Sequence, residues 1–489
     1  MGNNLTVVVL AAGGGTRMKS KTMKVLHPIA GRTMIGHVLA AARATEPARI
    51  VAVVGHQREQ VAAHIQELEP GVVLAVQEEQ LGTGHAVRMA VEAAATALGH
   101  GLDGTILVAY GDTPLLEGDS LRAFAAEHEA AQHAVSVLSG ILDDPFGYGR
   151  VLRNEEGDVE AIVEEKDATP AQREVREINS GILAFDAEFL LSALPRIGND
   201  NAKGEYYLTD VVAIAREDGL TVGAFPIDDV MQTEGVNDRA QLARMGAEMN
   251  RRIVVRWMRD GVTVMDPATT WIDADVALER DVTILPGVQL LGATAVAEDA
   301  VVGPDSTLKD CEVGAGARVV RTQGELAVIG AGADVGPFAY LRPGTTLGAG
   351  GKIGSFVETK NATIGDGAKV PHLSYVGDAE IGEGTNIGAG TIFANYDGVS
   401  KHRTTVGRHA RTASNNTFVA PVQIGDGAAT GAGTVVRRDV PPGALAVSSG
   451  PQRNLEGWAL SKRPGTPQAE AAAAALAERR DGEQDVAES

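Results

Sequence analysis

Residues 329–353 read IGAGADVGPFAYLRPGTTLGAGGKI, and an aliphatic side chain returns at every sixth position. The aliphatic positions are Ile329, Val335, Leu341, Leu347 and Ile353. A short fixed period predicts a β-solenoid, because each repeat supplies one strand and one turn that stack on the next repeat. We expect the aliphatic residue to point inward, glycine to relieve the corners, and three hexapeptides to complete one coil.

The repeat extends beyond this stretch in both directions. It begins after Gly261, and with two changes of register it continues through Ile364, Val370, Val376, Ile381 and Ile387. Residues 395–404 break the period and are predicted to protrude as a loop. The composition agrees with a narrow interior, since the 489 residues include 59 glycines and only 4% aromatic residues.

The sequence before the repeat has a different pattern. From Leu5 to Asn237, short β-branched runs such as LTVVVLAA alternate with amphipathic stretches such as MIGHVLAAARA. This alternation predicts an α/β domain with a mostly parallel sheet, whose ligands bind beyond the carboxyl ends of the strands. The predicted organisation is an α/β domain over 1–237, a linker helix over 238–260, a solenoid over 261–452, and a flexible, alanine-rich tail over 453–489.

Charge and cysteine content exclude several classes of protein. Lys and Arg total 43 against 64 Asp and Glu, a net charge of −21, which disfavours nucleic acid or an anionic membrane as a partner. The single Cys311 excludes an internal disulfide framework and is expected to be a small core residue. No apolar run approaches the roughly 20 residues of a membrane span, and the N-terminus lacks the pattern of a signal peptide. We therefore expect a cytoplasmic protein.

Three glycines, Gly13, Gly14 and Gly15, follow the first predicted strand, and Arg17 and Lys24 come soon after. Exposed backbone N–H groups and two cations suit an anionic phosphate chain, so we predict a phosphate-binding loop. It is neither a Walker A motif nor a G-x-G-x-x-G fingerprint, because Met18 stands where both patterns need glycine. Taken alone, a plain strand-to-helix turn explains the glycines equally well.

Further motifs follow this loop in a specific order. They are LAAGGGTRM (10–18), LGTGHA (81–86), YGDTPL (110–115), GYGR (147–150), INSG (178–181), GEYYLTD (204–210) and EGVND (234–238). Together with the solenoid they resemble the bacterial bifunctional N-acetylglucosamine-1-phosphate uridylyltransferase/glucosamine-1-phosphate acetyltransferase family over roughly residues 5–460. The resemblance implies a Rossmann-like nucleotidyltransferase domain followed by a left-handed parallel β-helix.

The same resemblance implies the residues of a uridylyltransferase site. Arg17 and Lys24 would neutralise the triphosphate of UTP as catalytic cations, and Asp112 and Asn237 would hold Mg²⁺. The residues implied to bind UTP or UDP-N-acetylglucosamine are Leu10, Ala11, Ala12, Gly13, Gly14, Lys24, Gln77, Gly82, Thr83, Tyr110, Gly111, Asp112, Gly149, Glu164, Asn179, Thr209 and Asn237. In-line attack of a sugar phosphate on UTP brings two anions together, so the chemistry needs positioning and charge neutralisation rather than a general base. Taken singly, Asp112 could be a turn residue and Glu164 part of a solvated face.

Large polar side chains also interrupt the small-residue positions of the repeat between Leu341 and Tyr396. Arg342 and Lys360 suit a sugar phosphate, and histidine is the usual base for an amine nucleophile near neutral pH. In isolation, a surface histidine in a turn is the simpler interpretation of His372. The family resemblance implies that His372 is the catalytic base, that glucosamine-1-phosphate is bound by Arg342, Lys360, Tyr375, Asn386, Asn395 and Tyr396, and that acetyl-CoA is bound by Ala389, Asn395, Tyr396, Ser414 and Ala432.

Four positions depart from the family pattern. Met23 replaces the usual proline before Lys24, and Asp238 follows Asn237 where a second asparagine is common. Asn415 follows Ser414 where aspartate is usual, and Ser449 replaces an arginine near the end of the solenoid. We expect these departures to affect the affinities for UTP and CoA.

The resemblance also implies a homotrimer through the β-helix, with small molecules as the other partners. Lys401, on the predicted loop, would then reach the site of a neighbouring subunit. Two alternatives remain open from the sequence: a uridylyltransferase whose solenoid only assembles the oligomer, and a non-enzymatic scaffold that binds nucleotide. The polar set from Arg342 to Tyr396 argues against the first, and Asp112 with Asn237 argues against the second.

Overall fold

The computed structural model describes residues 4–55, 58–448, 450 and 452–487. Its first unit is an α/β layer structure. The strands are β1 Leu5–Ala11, β2 Pro28–Ile29, β3 Arg32–Thr33, β4 Arg49–Val54, β5 Val73–Val76, β6 Thr105–Tyr110, β7 Val135–Ile141, β8 Gly149–Arg153, β9 Val159–Val163, β10 Glu177–Asp186 and β11 Val222–Pro226. The helices are α1 Met34–Ala44, α2 Arg58–Leu68, α3 Thr83–Leu98, α4 Gly118–Ala131, α5 Pro170–Arg173, α6 Ala187–Ala193 and α7 Val211–Glu217, with 3₁₀ turns at Thr16–Met18, Lys24–Leu26, Leu194–Arg196, Leu208–Asp210 and Val230–Thr233.

The main sheet has the order β11-β7-β10-β6-β1-β4-β5, and the hairpin of β8 and β9 pairs with β10. Strands β1, β4, β5 and β6 are parallel, whereas β10 runs antiparallel to both β6 and β7. The sheet is therefore parallel from β6 to β5 and mixed from β6 to β11, where the antiparallel β10 lies. Separate apolar clusters cover its two faces, which is why β1 reads as a continuous apolar run with every residue buried. This layering brings the carboxyl ends of β1, β5 and β6 to one edge.

Helix α8, Arg239–Arg259, follows this unit where the sequence predicted a connecting helix. The Asp238 side chain caps its first turn by accepting a hydrogen bond from the backbone N–H of Gln241 at 2.8 Å. Near its other end, the Asn250 side chain donates to the carbonyl of Thr270 and accepts from the N–H of Ile272. The helix thus contacts the first coil of the second unit through specific hydrogen bonds.

The second unit is a left-handed parallel β-helix of very short strands. They are β12 Thr263–Val264, β13 Trp271–Ile272, β14 Ala277–Leu278, β15 Thr283–Ile284, β16 Gln289–Leu291, β17 Ala295–Val296, β18 Val301–Val302, β19 Thr307–Lys309, β20 Glu312–Val313, β21 Arg318–Val319, β22 Thr322–Glu325, β23 Ala327–Ile329, β24 Asp334–Val335, β25 Ala339–Leu341, β26 Thr345–Leu347, β27 Lys352–Ser355, β28 Glu358–Ile364, β29 Lys369–His372, β30 Tyr375–Ile381, β31 Ile392–Ala394, β32 Thr404–Val406, β33 Thr417–Val419, β34 Val422–Ile424, β35 Ala429–Thr430, β36 Val435–Val436 and β37 Leu445–Ala446.

The aliphatic residues of the repeat form the interior of this β-helix, as the period of six predicts. Val335 pairs with Ile353 one coil later, and Ile353 pairs with Val370 in the next. All three are fully buried. Cys311 is a buried free thiol, also as predicted. The narrow interior nevertheless holds two aromatic rings, since Phe393 and Phe418 lie inside successive coils with ring centroids 5.1 Å apart.

The tail contains two helices, α9 Trp458–Lys462 and α10 Pro467–Ala487. The run of alanines explains the second helix, since alanine has the highest helix propensity. Most side chains of Trp458–Arg479 are exposed, which fits the polar composition. Among the described residues, no helix is long and apolar enough to cross a membrane.

Candidate active sites

The phosphate-loop region lies at the carboxyl edge of the parallel strands. Gly13 and Gly14 follow β1 directly, and a β-carbon on either residue would meet no atom within 4 Å. Packing therefore does not require glycine there, and the open space leaves room for a ligand against the backbone. Gly15 has a φ of 59° and turns the chain into the 3₁₀ turn Thr16–Met18. Gly111 is different, because a β-carbon there would come within 2.8 Å of Ile35.

A cavity of about 320 Å³ opens at this edge. Of the residues predicted to bind the nucleotide, its lining includes Leu10, Ala11, Ala12, Gly13, Lys24, Gln77, Gly82, Thr83, Tyr110 and Asp112. The lining also contains Gln80 and Glu205, which the sequence analysis did not identify. The Gln80 amide donates a hydrogen bond to the carbonyl of Ala12 and so joins the phosphate loop to the segment before LGTGHA. Gln80 could have been predicted from the sequence, because it lies between two predicted nucleotide-binding elements, Gln77 and the LGTGHA motif.

The two predicted cations lie directly against the two predicted metal ligands. The Lys24 ammonium forms an ion pair with the Asp112 carboxylate, and both side chains are largely buried. The Arg17 guanidinium donates to the Asn237 side-chain oxygen at 2.8 Å. The backbone N–H of Val236 donates to the carbonyl of Asp112 at 2.9 Å, which brings the EGVND motif beside YGDTPL. Residues 17, 24, 112 and 237 thus meet although 220 positions separate the outermost two.

A second group of predicted residues forms beside Tyr110. A β-carbon on Gly149 would lie 3.4 Å from the Glu164 carboxylate and 3.6 Å from the Asn179 side chain. Burial raises the pKa of Glu164 despite the nearby Lys203 ammonium. Burial, together with the charges of Glu164 and Asp112, also raises the pKa of the Tyr110 phenol. Tyr110 lines the cavity with Asp112 and lies close enough to both carboxylates for their charges to act on its phenol.

Two motifs pair across the entrance of the cavity. The N–H of Tyr206 donates to the carbonyl of Leu81 at 2.8 Å, and the N–H of Gly84 donates to the carbonyl of Tyr206 at 2.8 Å. The Thr83 hydroxyl accepts from the N–H of Leu208 at 3.0 Å, next to the buried Thr209. The buried Gln77 amide donates to the carbonyl of Gly82 at 3.0 Å. LGTGHA and GEYYLTD therefore form one wall.

The β-helix gathers its predicted residues from successive coils. Lys360 on β28 pairs in register with Gly377 on β30, and Glu358 pairs with Tyr375. The Asn395 amide lies 3.5 Å from the Tyr375 hydroxyl and also donates to the Asp378 carboxylate. Asp378 is a central residue of this cluster, and it was not among the residues predicted from the sequence.

The remaining predicted acetyltransferase residues make contacts within the β-helix and its protruding loop. The Arg342 guanidinium donates to the Glu358 carboxylate at 2.9 Å. Lys401 lies beside Lys360 of the same chain, and the neighbouring ammonium lowers the pKa of Lys401. The two ammonium groups form a local concentration of positive charge. The Tyr396 hydroxyl donates to the carbonyl of Gly398 at 2.7 Å, so this side chain stays within the protruding loop. Asn386 forms parallel β-bridges with Lys369 and with Arg411 in the neighbouring coils.

His372 lies at the end of β29, exposed at a corner of the β-helix. Neither of its ring nitrogens has a hydrogen-bond partner in the described part of the chain. The corner is continuous from coil to coil: the N–H of Gly390 donates to the carbonyl of His372, that of Asn415 to Ala389, and that of Gly433 to Ser414. His372, Ala389 and Ser414 therefore occupy equivalent positions in successive coils, and Ala432 precedes Gly433 in the next. The predicted base stands at the head of the row of predicted acetyl-CoA residues.

Three of the departures have local explanations. Met23 has a φ of −59°, which is the value proline would impose, so the backbone before Lys24 keeps that shape. Asp238 caps α8. Asn415 has a φ of 57°, a conformation that asparagine tolerates well. Ser449 lies outside the described residues.

Comparison with known proteins gives the family. Residues 7–173 match the model of the MobA-like NTP transferase domain. A bifunctional protein GlmU of Kineococcus radiotolerans is 61% identical, covering 95% of this chain and 94% of that protein. Those of Rhodococcus opacus and Pseudarthrobacter chlorophenolicus are 60% and 58% identical, each covering 96% of this chain and 94% and 95% of the relatives. The chain belongs to the GlmU family.

Membership of the GlmU family fixes the overall activity. GlmU proteins make UDP-N-acetylglucosamine with a uridylyltransferase and an acetyltransferase activity, and this chain has both. The family uses UTP and acetyl-CoA as substrates. The near-complete coverage of the relatives includes both the α/β unit and the β-helix. The two clusters described above are therefore the candidate locations of the two GlmU activities.

Proposed function

We propose that the two transfers occur at separate sites, uridylyl transfer in an α/β domain over 1–237 and acetyl transfer in a β-helix domain over 261–452, joined by the helix over 238–260. The observation that carries this proposal is the separate clustering of the two residue sets. Arg17, Lys24, Asp112 and Asn237 meet at the strand edge of one unit, whereas Lys360, Tyr375 and Asn395 meet on the coils of the other.

In the proposed uridylyl transfer, a phosphate oxygen of N-acetylglucosamine-1-phosphate attacks the α-phosphorus of UTP and pyrophosphate leaves. The attacking oxygen is already ionised, so no residue needs to accept a proton. Arg17 and Lys24 bind the triphosphate and reduce the repulsion between the two anions. Gly149, Glu164, Asn179 and Thr209 hold the sugar phosphate. The neutral phenol of Tyr110 lines the same cavity as Lys24 and Asp112.

The local structure around Asp112 and Asn237 suits a Mg²⁺ ion. Asp112 and Asn237 offer a carboxylate and an amide oxygen, the donor types that Mg²⁺ prefers, and Mg²⁺ usually takes few protein ligands beside phosphate oxygens. Gly235 leaves space at Asp112, since a β-carbon there would lie 3.5 Å from the Asp112 Oδ1. The residues therefore fit. When bound, the ion would neutralise charge that develops on the phosphates, while Arg17 and Lys24 bind the remaining oxygens.

In the proposed acetyl transfer, the amine of glucosamine-1-phosphate attacks the thioester carbon of acetyl-CoA. The C–N bond forms first and gives a tetrahedral oxyanion, and the amine proton passes to the imidazole of His372. The C–S bond then breaks, and the imidazolium returns that proton to the sulfur, so that CoA leaves as the thiol. Lys360, with Lys401 beside it, and Arg342 bind the sugar phosphate, and Tyr375, Asn386, Asn395 and Tyr396 bind the sugar. Acetyl-CoA lies along Ala389, Ser414 and Ala432, where backbone N–H groups stabilise the thioester oxyanion.

The proposal includes a homotrimer formed through the β-helix. An apolar corner, defined as Phe338, Phe356 and Leu373, is 51%, 61% and 62% exposed. The two phenyl rings stack at 5.4 Å, and the same corner continues to His372 and Gly390. Exposed contiguous apolar surface of this kind marks interaction sites. A second copy on this corner would place a subunit interface next to His372. The proposed compartment is the cytoplasm, which suits the single, buried free thiol of Cys311.

The experiment that tests the proposal follows two products separately. The purified protein is incubated with glucosamine-1-phosphate, acetyl-CoA, UTP and Mg²⁺, and free thiol and pyrophosphate are measured. We expect both, with pyrophosphate release dependent on prior acetylation and abolished by removal of the metal with EDTA, which should leave thiol release intact. Pyrophosphate only from ready-made N-acetylglucosamine-1-phosphate, without thiol release, would contradict the acetyltransferase assignment. Asn415 and Ser449 would then be examined first.

A further inference from the structure

Arg252, on the helix between the two units, has an unusual number of acidic partners. Its side chain is 17% exposed, and three of its nitrogens contact three different carboxylates. Nε lies 2.8 Å from Glu248, Nη1 lies 3.1 Å from Glu117, and Nη2 lies 2.7 Å from Asp229. Glu248 is one turn earlier on α8, but Glu117 and Asp229 belong to two other segments. The planar guanidinium fork is suited to joining several carboxylates in a fixed geometry.

The two segments joined by Arg252 carry the proposed metal ligands. Glu117 lies five residues after Asp112, and Asp229 lies eight residues before Asn237. Two further hydrogen bonds link the same segments: the N–H of Glu117 donates to the buried Gln232 side chain at 3.2 Å, and the N–H of Val236 donates to the carbonyl of Asp112 at 2.9 Å. The two segments are therefore linked to each other by hydrogen bonds, and Arg252 forms ion pairs with both of them.

We propose that Arg252 is a positioning residue for uridylyl transfer, which keeps the Asp112 and Asn237 oxygens at the separation that one Mg²⁺ needs. This inference rests on the proposed function, since it assumes that Asp112 and Asn237 hold the metal. Arg252 touches neither substrate nor metal in this role. Groups that orient metal ligands are known to affect metal affinity strongly, although they do not contact the ion.

The chain provides a matched control. Arg251 is the adjacent arginine on α8, and it forms an ion pair with Glu248, which Arg252 also contacts. The Arg251→Met variant removes an arginine and a Glu248 contact but leaves Glu117 and Asp229 paired. The Arg252→Met variant removes the contacts to all three carboxylates and keeps the long apolar stem. The difference between the two variants reports the contacts to Glu117 and Asp229.

The test measures metal binding as well as activity in the full-length chain. Mn²⁺ is titrated into protein saturated with UDP-N-acetylglucosamine, and binding is followed by water-proton relaxation. We expect Arg252→Met to raise the half-saturating Mn²⁺ concentration about tenfold, the low end of the effect of losing a ligand-orienting group. Arg251→Met should match the unaltered protein. Uridylyl transfer by Arg252→Met should be slow at limiting Mg²⁺ and recover at high Mg²⁺, while its acetyl transfer is unchanged.

Other results would overturn the proposal. If Arg252→Met binds Mn²⁺ like the unaltered protein, or if Arg251→Met shifts binding equally, Arg252 does not position the ligands. Should Arg252→Met fail to fold, the double variant Glu117→Ala/Asp229→Ala removes the two contacts that join Arg252 to the metal-ligand segments and must give the same tenfold shift. An Asp112→Ala variant separates the two hypotheses: if it retains full Mn²⁺ binding, the metal site itself is wrong, whereas lost binding there with normal binding in Arg252→Met contradicts the positioning role alone.

Discussion

The α/β unit and the β-helix build their sites in opposite ways. In the α/β unit, Arg17 and Asn237 make contact although they stand at opposite ends of the domain sequence. In the β-helix, Lys360 and Tyr375 become neighbours because each residue lies opposite a residue about one coil later. The first site depends on the packing of many separate loops, and the second depends on a local repeat. A change in one loop should therefore affect only the first site, and a change in one coil only the second.

The largest effect is expected from Asp112→Ala. The variant removes the proposed carboxylate ligand and leaves Lys24 without its ion pair. Pyrophosphate release should fall about 10⁴-fold, because the charge stabilisation supplied by a metal amounts to several kcal/mol. Thiol release from acetyl-CoA should be unchanged. Loss of both activities in a folded protein would show that the two sites are not independent, and Asp112→Asn tests whether the charge or the shape of the side chain matters.

The converse change is His372→Ala in the β-helix. Removing a general base typically costs 10²–10⁴-fold, so thiol release should fall by about 10³-fold while pyrophosphate release from N-acetylglucosamine-1-phosphate persists. His372 is exposed and near the surface, and the fold should tolerate the change. Retained acetylation would return His372 to the simpler interpretation of a surface histidine in a turn. The acetyltransferase site would then have to be sought elsewhere on the coils.

The sequence predicts the β-helix better than the α/β unit, because the β-helix depends on local repeats and the α/β site depends on distant loops. The period of six placed Val335, Ile353 and Val370 in the interior correctly, since in a solenoid each position depends only on its nearest neighbours. The pairing of Lys24 with Asp112 needed the family resemblance, because no spacing in the sequence reveals which loops meet. The antiparallel strand β10 was missed for the same reason. In the tail, the helix propensity of alanine explains α10, whereas the flexibility of the segment stays a prediction.

A core change in one coil should be local. Phe393 is fully buried against Phe418 and lies two residues before Asn395. Phe393→Ala should lower the free energy of unfolding of the β-helix by about 3–4 kcal/mol, through lost burial and the cavity left behind. Val399→Ala, at a residue 89% exposed in the adjacent loop, should cost less than about 0.5 kcal/mol. Chemical denaturation followed by the two activities checks this, and equal loss of uridylyl transfer would contradict a local effect.

The smallest predicted effect concerns acid stability, where the two units again differ. Burial lowers the pKa of His128 to about 4, with the neighbouring His133 adding to the effect. Its ring accepts or donates a hydrogen bond at Nδ1 with the buried Ser136 at 2.8 Å. In the described β-helix, by contrast, the buried polar side chains are Thr, Ser and Asn, which do not titrate.

Between pH 6.5 and 4, the unfolded chain binds a proton at His128 that the folded chain excludes, so stability falls as the pH falls through this range. The loss should reach up to about 3 kcal/mol for the α/β unit. His128→Asn should reduce this slope, leaving the contributions of His27, His37 and His133, whose pKa values burial also lowers. Urea unfolding at several pH values, followed by residual uridylyl and acetyl transfer after return to neutral pH, tests the difference. A β-helix that loses stability as steeply as the α/β unit would show that buried histidine is not the source of the acid sensitivity.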